Sequence, residues 1–119
     1  GVQGLFVWGF TAGILDRVAL PAERAHLADL PAGVHWDRLL FSAKESVYKT
    51  WFPLTRRWLG FEEAALLLAP GPRPERGTFT ADLLVDAPPV VGGQPVRTLR
   101  GRYAVSGGLL GTAITLAAE

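Results

Sequence analysis

The period at which apolar residues recur changes once along this chain, and that change restricts the fold more than any other feature. Trp36, Leu40, Ala43, Val47 and Trp51 fall three and four residues apart, the spacing of one buried helix face. From Gly77 the period is two, and TFTADLLV, PVRTLRGRYAV and LLGTAITLA read as strands rich in Thr, Val, Leu and Tyr. The expected fold class is therefore α+β: an antiparallel sheet of three to five strands packed against a long helix and a shorter one.

Punctuation residues bound these elements. Pro21 suits the first position of a short helix, with Glu23 in its first turn where the helix dipole favours an acid, and Pro31 and Gly33 end the segment. The long helix is expected from His35 or Trp36 to Phe52, stopped by Pro53. PLTRRWLGFEEA reads as a loop, ALLLA as a short buried strand, and PGPRPERG as a loop or flexible excursion. Gly92-Gly93 and Ser106-Gly107-Gly108 read as hairpin turns. The opening GVQGLFVWGFTAG fits a buried strand with loops better than a targeting segment.

A length of 119 residues, 49% of them hydrophobic, suits one domain with a modest core. A net charge of +1 with scattered arginines gives no basis for binding nucleic acid. LLFSA, ALLLA and LLGTAITLAA fall well short of the ~18 to 20 apolar residues that cross a bilayer, so no membrane partner is expected and the default compartment is cytoplasmic. The absence of cysteine excludes disulfides and thiolate metal sites. Methionine is also absent, so Gly1 is not expected to be a native start and the chain reads as a fragment.

Ten of the twelve basic residues are arginine, and the only two lysines sit together in FSAKESVYK, residues 41–49. On a helix, Glu45 and Lys49 are one turn apart, as are Lys44 and Tyr48, which places these polar groups on the flank of the core stripe. Glu45 with Lys49 also reads as an ordinary surface ion pair, and spacing alone does not decide between the two. The functional alternative is a phosphate site, because lysine is a compact charge on a flexible stem and a neighbouring carboxylate can share Mg²⁺ with the phosphate. No glycine-rich phosphate loop supports a nucleotide hydrolase.

The run WDRLLFSAKESVYKTWFPLTRRWLGFEEA closely resembles the carboxyl-terminal half of the larger, pseudo-dimeric 4'-phosphopantetheinyl transferases of actinobacterial type. Phe41, Ser42, Lys44, Glu45, Ser46 and Lys49 fill that family's helical motif, and Trp51-Phe52-Pro53 with Phe61-Glu62 extend the match. The resemblance runs from about Ile14 to the end, so residues 14–119 are read as the domain and 1–13 as a divergent or truncated start containing a strand. It implies Mg²⁺-dependent transfer of the 4'-phosphopantetheine arm of coenzyme A to a serine of an acyl or peptidyl carrier protein, releasing adenosine 3',5'-bisphosphate. It further implies Glu45 as metal ligand and candidate base, Lys49 as a catalytic residue, and both Lys44 and Lys49 at coenzyme A phosphates.

The family's upstream glycine-x-aspartate motif has no counterpart in GVQGLFVWGFTAG, and Asp16, the nearest carboxylate, reads as a surface or capping residue. The amino-terminal half of that class is also absent, so an incomplete enzyme is expected, completed by that half or by self-association. Two alternatives stand beside this reading: a short trimeric holo-acyl-carrier-protein synthase with sites between subunits, and a non-catalytic carrier-binding domain. Ser42 and Ser46 are expected to pack, not to attack; His26 and His35 to be helix residues; Trp36, Trp51 and Trp58 to pack; and Arg56 and Arg57 to face solvent, where they could meet an acidic carrier.

Overall fold

The computed structural model describes residues 2–7 and 19–116. Two helices, α1 (Pro21–Ala28) and α2 (Trp36–Thr55), accompany strands β1 (Val2–Val7), β2 (Ala64–Pro70), β3 (Arg76–Leu83), β6 (Thr98–Ser106) and β7 (Leu109–Leu116). These strands form one antiparallel sheet in the order β1-β7-β6-β3-β2. Between β3 and β6 the chain makes a small hairpin, β4 (Val90–Val91) with β5 (Gln94–Pro95). Both hairpins anticipated from glycine pairs form, with positive φ at Gly92, Gly93, Gly107 and Gly108, a backbone state that costs glycine little.

All five residues of the apolar stripe on α2 are buried, and they pack against Leu66, Leu68, Phe79, Leu99 and Ile114 of the sheet. A second buried row on α2 is polar and small. Ser42 and Ser46 hydroxyls lie 3.0 and 2.7 Å from Thr112 Oγ1 on β7, and the Thr50 hydroxyl donates to the Ser46 carbonyl at 3.0 Å. Small side chains let α2 approach β7 closely, and reciprocal hydroxyl bonds meet the cost of burying them. The two serines thus pack, as expected.

The long helix does not stop at Pro53. It runs to Thr55 and ends at Arg56, whose φ of 56° places it in the left-handed region with its N–H donating to the Phe52 carbonyl at 2.8 Å. In a last turn proline removes only one helical hydrogen bond, and packing of the preceding turns carries the helix past it. Indole N–H groups tie both ends: Trp36 to the Pro31 carbonyl at 2.7 Å and Trp51 to the Arg57 carbonyl at 2.8 Å.

ALLLA forms the short strand expected of it, β2, but at the sheet edge, where its burial alternates because only one face meets α2. Helix α1 covers that edge. Glu23 Oε2 accepts the Leu66 N–H at 2.7 Å, and His26 Nε2 accepts the Leu68 N–H at 3.2 Å while lying 2.9 Å from the Leu68 carbonyl. The following loop, read as a possible flexible excursion, is pinned: Tyr103 Oη donates to the Pro74 carbonyl and the Val105 N–H to the Glu75 carbonyl, both at 2.8 Å.

Candidate functional site

The motif residues on α2 diverge by which side of the core stripe they occupy. Glu45 is half-buried, Tyr48 half-buried and Lys49 exposed, on the flank expected for them. Burial raises the Glu45 carboxyl above its usual range, and the Lys49 charge acts in the opposite direction. The two lie one helical turn apart and are electrostatically coupled, so the carboxylate and the ammonium can address one ligand.

Lys44 does not join them. It was expected on the same flank at coenzyme A phosphates, but its side chain is 0% exposed, with Nζ 2.9 Å from Glu23 Oε1 and donating to the Phe61 carbonyl at 2.6 Å. The physical reason is its position: Lys44 follows Leu40 by four residues and precedes Val47 by three, which puts it along the buried stripe. Burial pulls its ammonium below the ordinary value, against the raising effect of Glu23.

Beyond Glu45 an apolar trough opens between the end of α2 and the loop that follows it. Its walls are Tyr48, Trp51 and Phe52 on one side and Trp58, Leu59 and Phe61 on the other, with Glu45 at its margin. Phe61 meets Tyr48 edge-on with ring centres 5.1 Å apart and lies 5.8 Å from Phe41. The Tyr48 hydroxyl is buried without a hydrogen-bond partner among the described residues, and burial pushes its pKa up. An enclosed hydroxyl of this kind costs free energy until a polar partner reaches it.

Trp58, expected to pack, is 92% exposed at the trough's rim, 6.3 Å from the half-exposed Phe52 ring. Arg56 and Arg57 are exposed as expected; Arg57 stacks over Trp51 at 5.6 Å and donates to the Ala87 carbonyl at 3.0 Å. His26 lies in α1 and His35 caps the start of α2. Asp16 lies outside the described residues. Among the described residues no group of three or more His, Cys, Asp or Glu gathers, and Glu45 is the carboxylate that lines the trough. One carboxylate fits the mode in which Mg²⁺ is held by one or two acids with water and substrate phosphate completing its shell.

A long helix packed on one side of an antiparallel sheet, carrying Glu45 at an apolar trough with Lys49 one turn along, is the arrangement that the comparisons with known proteins place in a family. The chain belongs to the 4'-phosphopantetheinyl transferase superfamily, whose family model matches residues 7–93. It is 50% identical over 105 residues to the 4'-phosphopantetheinyl transferase PptT of Mycobacterium tuberculosis, covering 87% of this chain and 46% of that protein. To the 4'-phosphopantetheinyl transferase Svp of Streptomyces mobaraensis it is 54% identical over 109 residues, 89% of this chain and 42% of Svp. To Npt of Nocardia iowensis, of the same name, it is 45% identical over 108 residues, 88% and 49%. The chain thus spans a little under half the length of these relatives. No helix among the described residues is long and apolar enough to cross a membrane.

Proposed function

We propose that this chain supplies the catalytic helix of an enzyme that moves the 4'-phosphopantetheine arm of coenzyme A onto a serine of an acyl or peptidyl carrier protein. The observation that carries the proposal is the place of Glu45 in the lining of the apolar trough, beside Tyr48 and one helical turn from the Lys49 charge that acts on it. Coenzyme A has matching parts: a charged diphosphate, and a neutral arm with amide groups. In this reading the arm lies in the trough, the Tyr48 hydroxyl meets an amide, and the diphosphate reaches Glu45 and Lys49.

The carrier serine hydroxyl then attacks the β-phosphate, a new phosphoester forms, and the bond to the bridging oxygen breaks to release adenosine 3',5'-bisphosphate. Lys49 offsets the negative charge that builds on the diphosphate during this exchange. Glu45 would hold a Mg²⁺ ion, which when bound supplies further charge neutralisation at the phosphates. A carboxylate engaged with a metal is a poor proton acceptor, so the serine proton passes more readily to water than to Glu45. Lys44 is left out of the phosphate contacts because its ammonium already has two partners.

The relatives are about twice as long, which favours the larger class over the short trimeric synthases, and we propose that an amino-terminal half or a second copy of the chain completes the coenzyme A site. The exposed Phe52, Trp58, Arg56 and Arg57 suit an acidic carrier surface and support the second reading, a carrier-binding domain without chemistry. The test is transfer of a fluorescent coenzyme A arm to an apo carrier protein with Mg²⁺, together with coenzyme A binding read from tryptophan fluorescence. Coenzyme A should quench the wild-type signal in a Mg²⁺-dependent way. Lys49→Ala and Glu45→Ala should each weaken that response and any transfer at least ~100-fold, the scale of losing one transition-state charge contact. Carrier binding with no coenzyme A response, both by the chain alone and by the chain joined to an amino-terminal half, would overturn the transferase reading and favour the binding domain.

A further inference from the structure

Lys44 and Glu23 are the buried charged side chains among the described residues, and the transfer chemistry does not use them. Glu23 is 2% exposed and receives three donors: the Leu20 N–H at 2.8 Å and Lys44 Nζ at 2.9 Å on Oε1, and the Leu66 N–H at 2.7 Å on Oε2. Lys44 spends a second donor on the Phe61 carbonyl. Three stretches far apart in sequence therefore meet at one ion pair: the start of α1, the middle of α2, and the run from the 3₁₀ turn Phe61–Glu63 at the trough into the edge strand β2.

We propose that Glu23 and Lys44 are a positioning pair that sets the trough, with Glu23 locking Lys44 and Lys44 holding Phe61 against Tyr48. The inference rests on the trough being the seat of the pantetheine arm. Stability alone does not account for the pair, since a buried ion pair replaced by apolar groups is often neutral or stabilising. Its bonds are specific in direction instead. The Phe61 ring is a wall of the trough, so the bond from Lys44 to its carbonyl fixes the spacing of that wall from Tyr48, one turn along from Lys44 itself. Lys44 also precedes Glu45 in the chain, and anchoring its side chain inward adds to the apolar stripe in holding the rotation of α2 that brings Glu45 into the lining of the trough. Drawing Lys44 out to a phosphate would break both of its bonds and leave the Glu23 carboxylate buried without its cation.

The experiment measures dissociation constants for pantetheine, which carries no phosphate, and for coenzyme A with Mg²⁺, by tryptophan fluorescence. It compares the wild-type chain with Glu23→Gln, Lys44→Met and Lys49→Ala, and records urea unfolding of each. The positioning pair predicts that Glu23→Gln and Lys44→Met each weaken pantetheine at least tenfold, while Lys49→Ala weakens coenzyme A and leaves pantetheine within twofold. If Lys44→Met weakens coenzyme A alone, Lys44 serves a phosphate and the proposal falls. If Glu23→Gln lowers the unfolding midpoint but the folded chain binds pantetheine as the wild type does, the pair is merely structural and the proposal falls too. Should Lys44→Met fail to fold, Glu23→Gln, which keeps an acceptor for the Leu66 N–H, decides the matter. A wild-type chain that ignores pantetheine removes the reading of the trough itself, a result none of the variant outcomes imitates.

Discussion

Glu45 sits where the flank of α2 is half covered, and its carboxyl is held above the ordinary 4.5 by burial, with Lys49 opposing. Ionising it costs the folded chain more than the unfolded one. Its contribution to stability is therefore fully present below 4.5 and is lost as pH rises through the raised value. Against a Glu45→Gln variant, the wild type should lose ground in its urea midpoint as the pH is taken from below 4.5 to neutral; a constant difference across that range would contradict the shift. Lys44 shows what residue-level reading missed. Its place on the stripe between Leu40 and Val47 was visible, but charge pointed it outward, and the partner that makes burial tolerable lies 21 positions away on another helix, where Glu23 read only as a dipole complement.

The elements were more legible than the site, for a reason that particular residues make plain. Helix α2 and strands β3, β6 and β7 each carry a period that local sequence repeats several times, so a single exception such as Pro53 does not erase it. The trough, by contrast, is a junction between Tyr48 on α2 and Phe61 in a turn, and no local pattern encodes that meeting. Within the sheet one position is set by contact rather than period. Gly101 on β6 pairs with Phe79 on β3, and a Cβ there would fall 2.3 Å from the Phe79 ring and 2.6 Å from the Ala113 carbonyl. Phe79 is 1% exposed and has no room to retreat. Gly101→Ala should cost about 1–3 kcal/mol by urea denaturation, the usual penalty for overpacking a core.

Across the whole molecule, α1 is the helix less supported by its own length. Eight residues do not sustain a helix alone, and α1 is held to β2 chiefly through Glu23 and His26, which take up the Leu66 and Leu68 N–H groups at the sheet edge. Hydrogen exchange should show the Leu66 and Leu68 amides opening together with those of α1, at lower free energy than the amides at the centres of β3 and β6. Uniform protection across the sheet would show instead that α1 never lifts away. The burial of Lys44 has a practical consequence over the same surface. The chain has two lysines, and only Lys49 presents its amine to water. An amine-reactive dye, crosslinker or affinity tag would thus find one side-chain address on the folded protein, one helical turn from Glu45, and would modify Lys44 only after the fold had been lost.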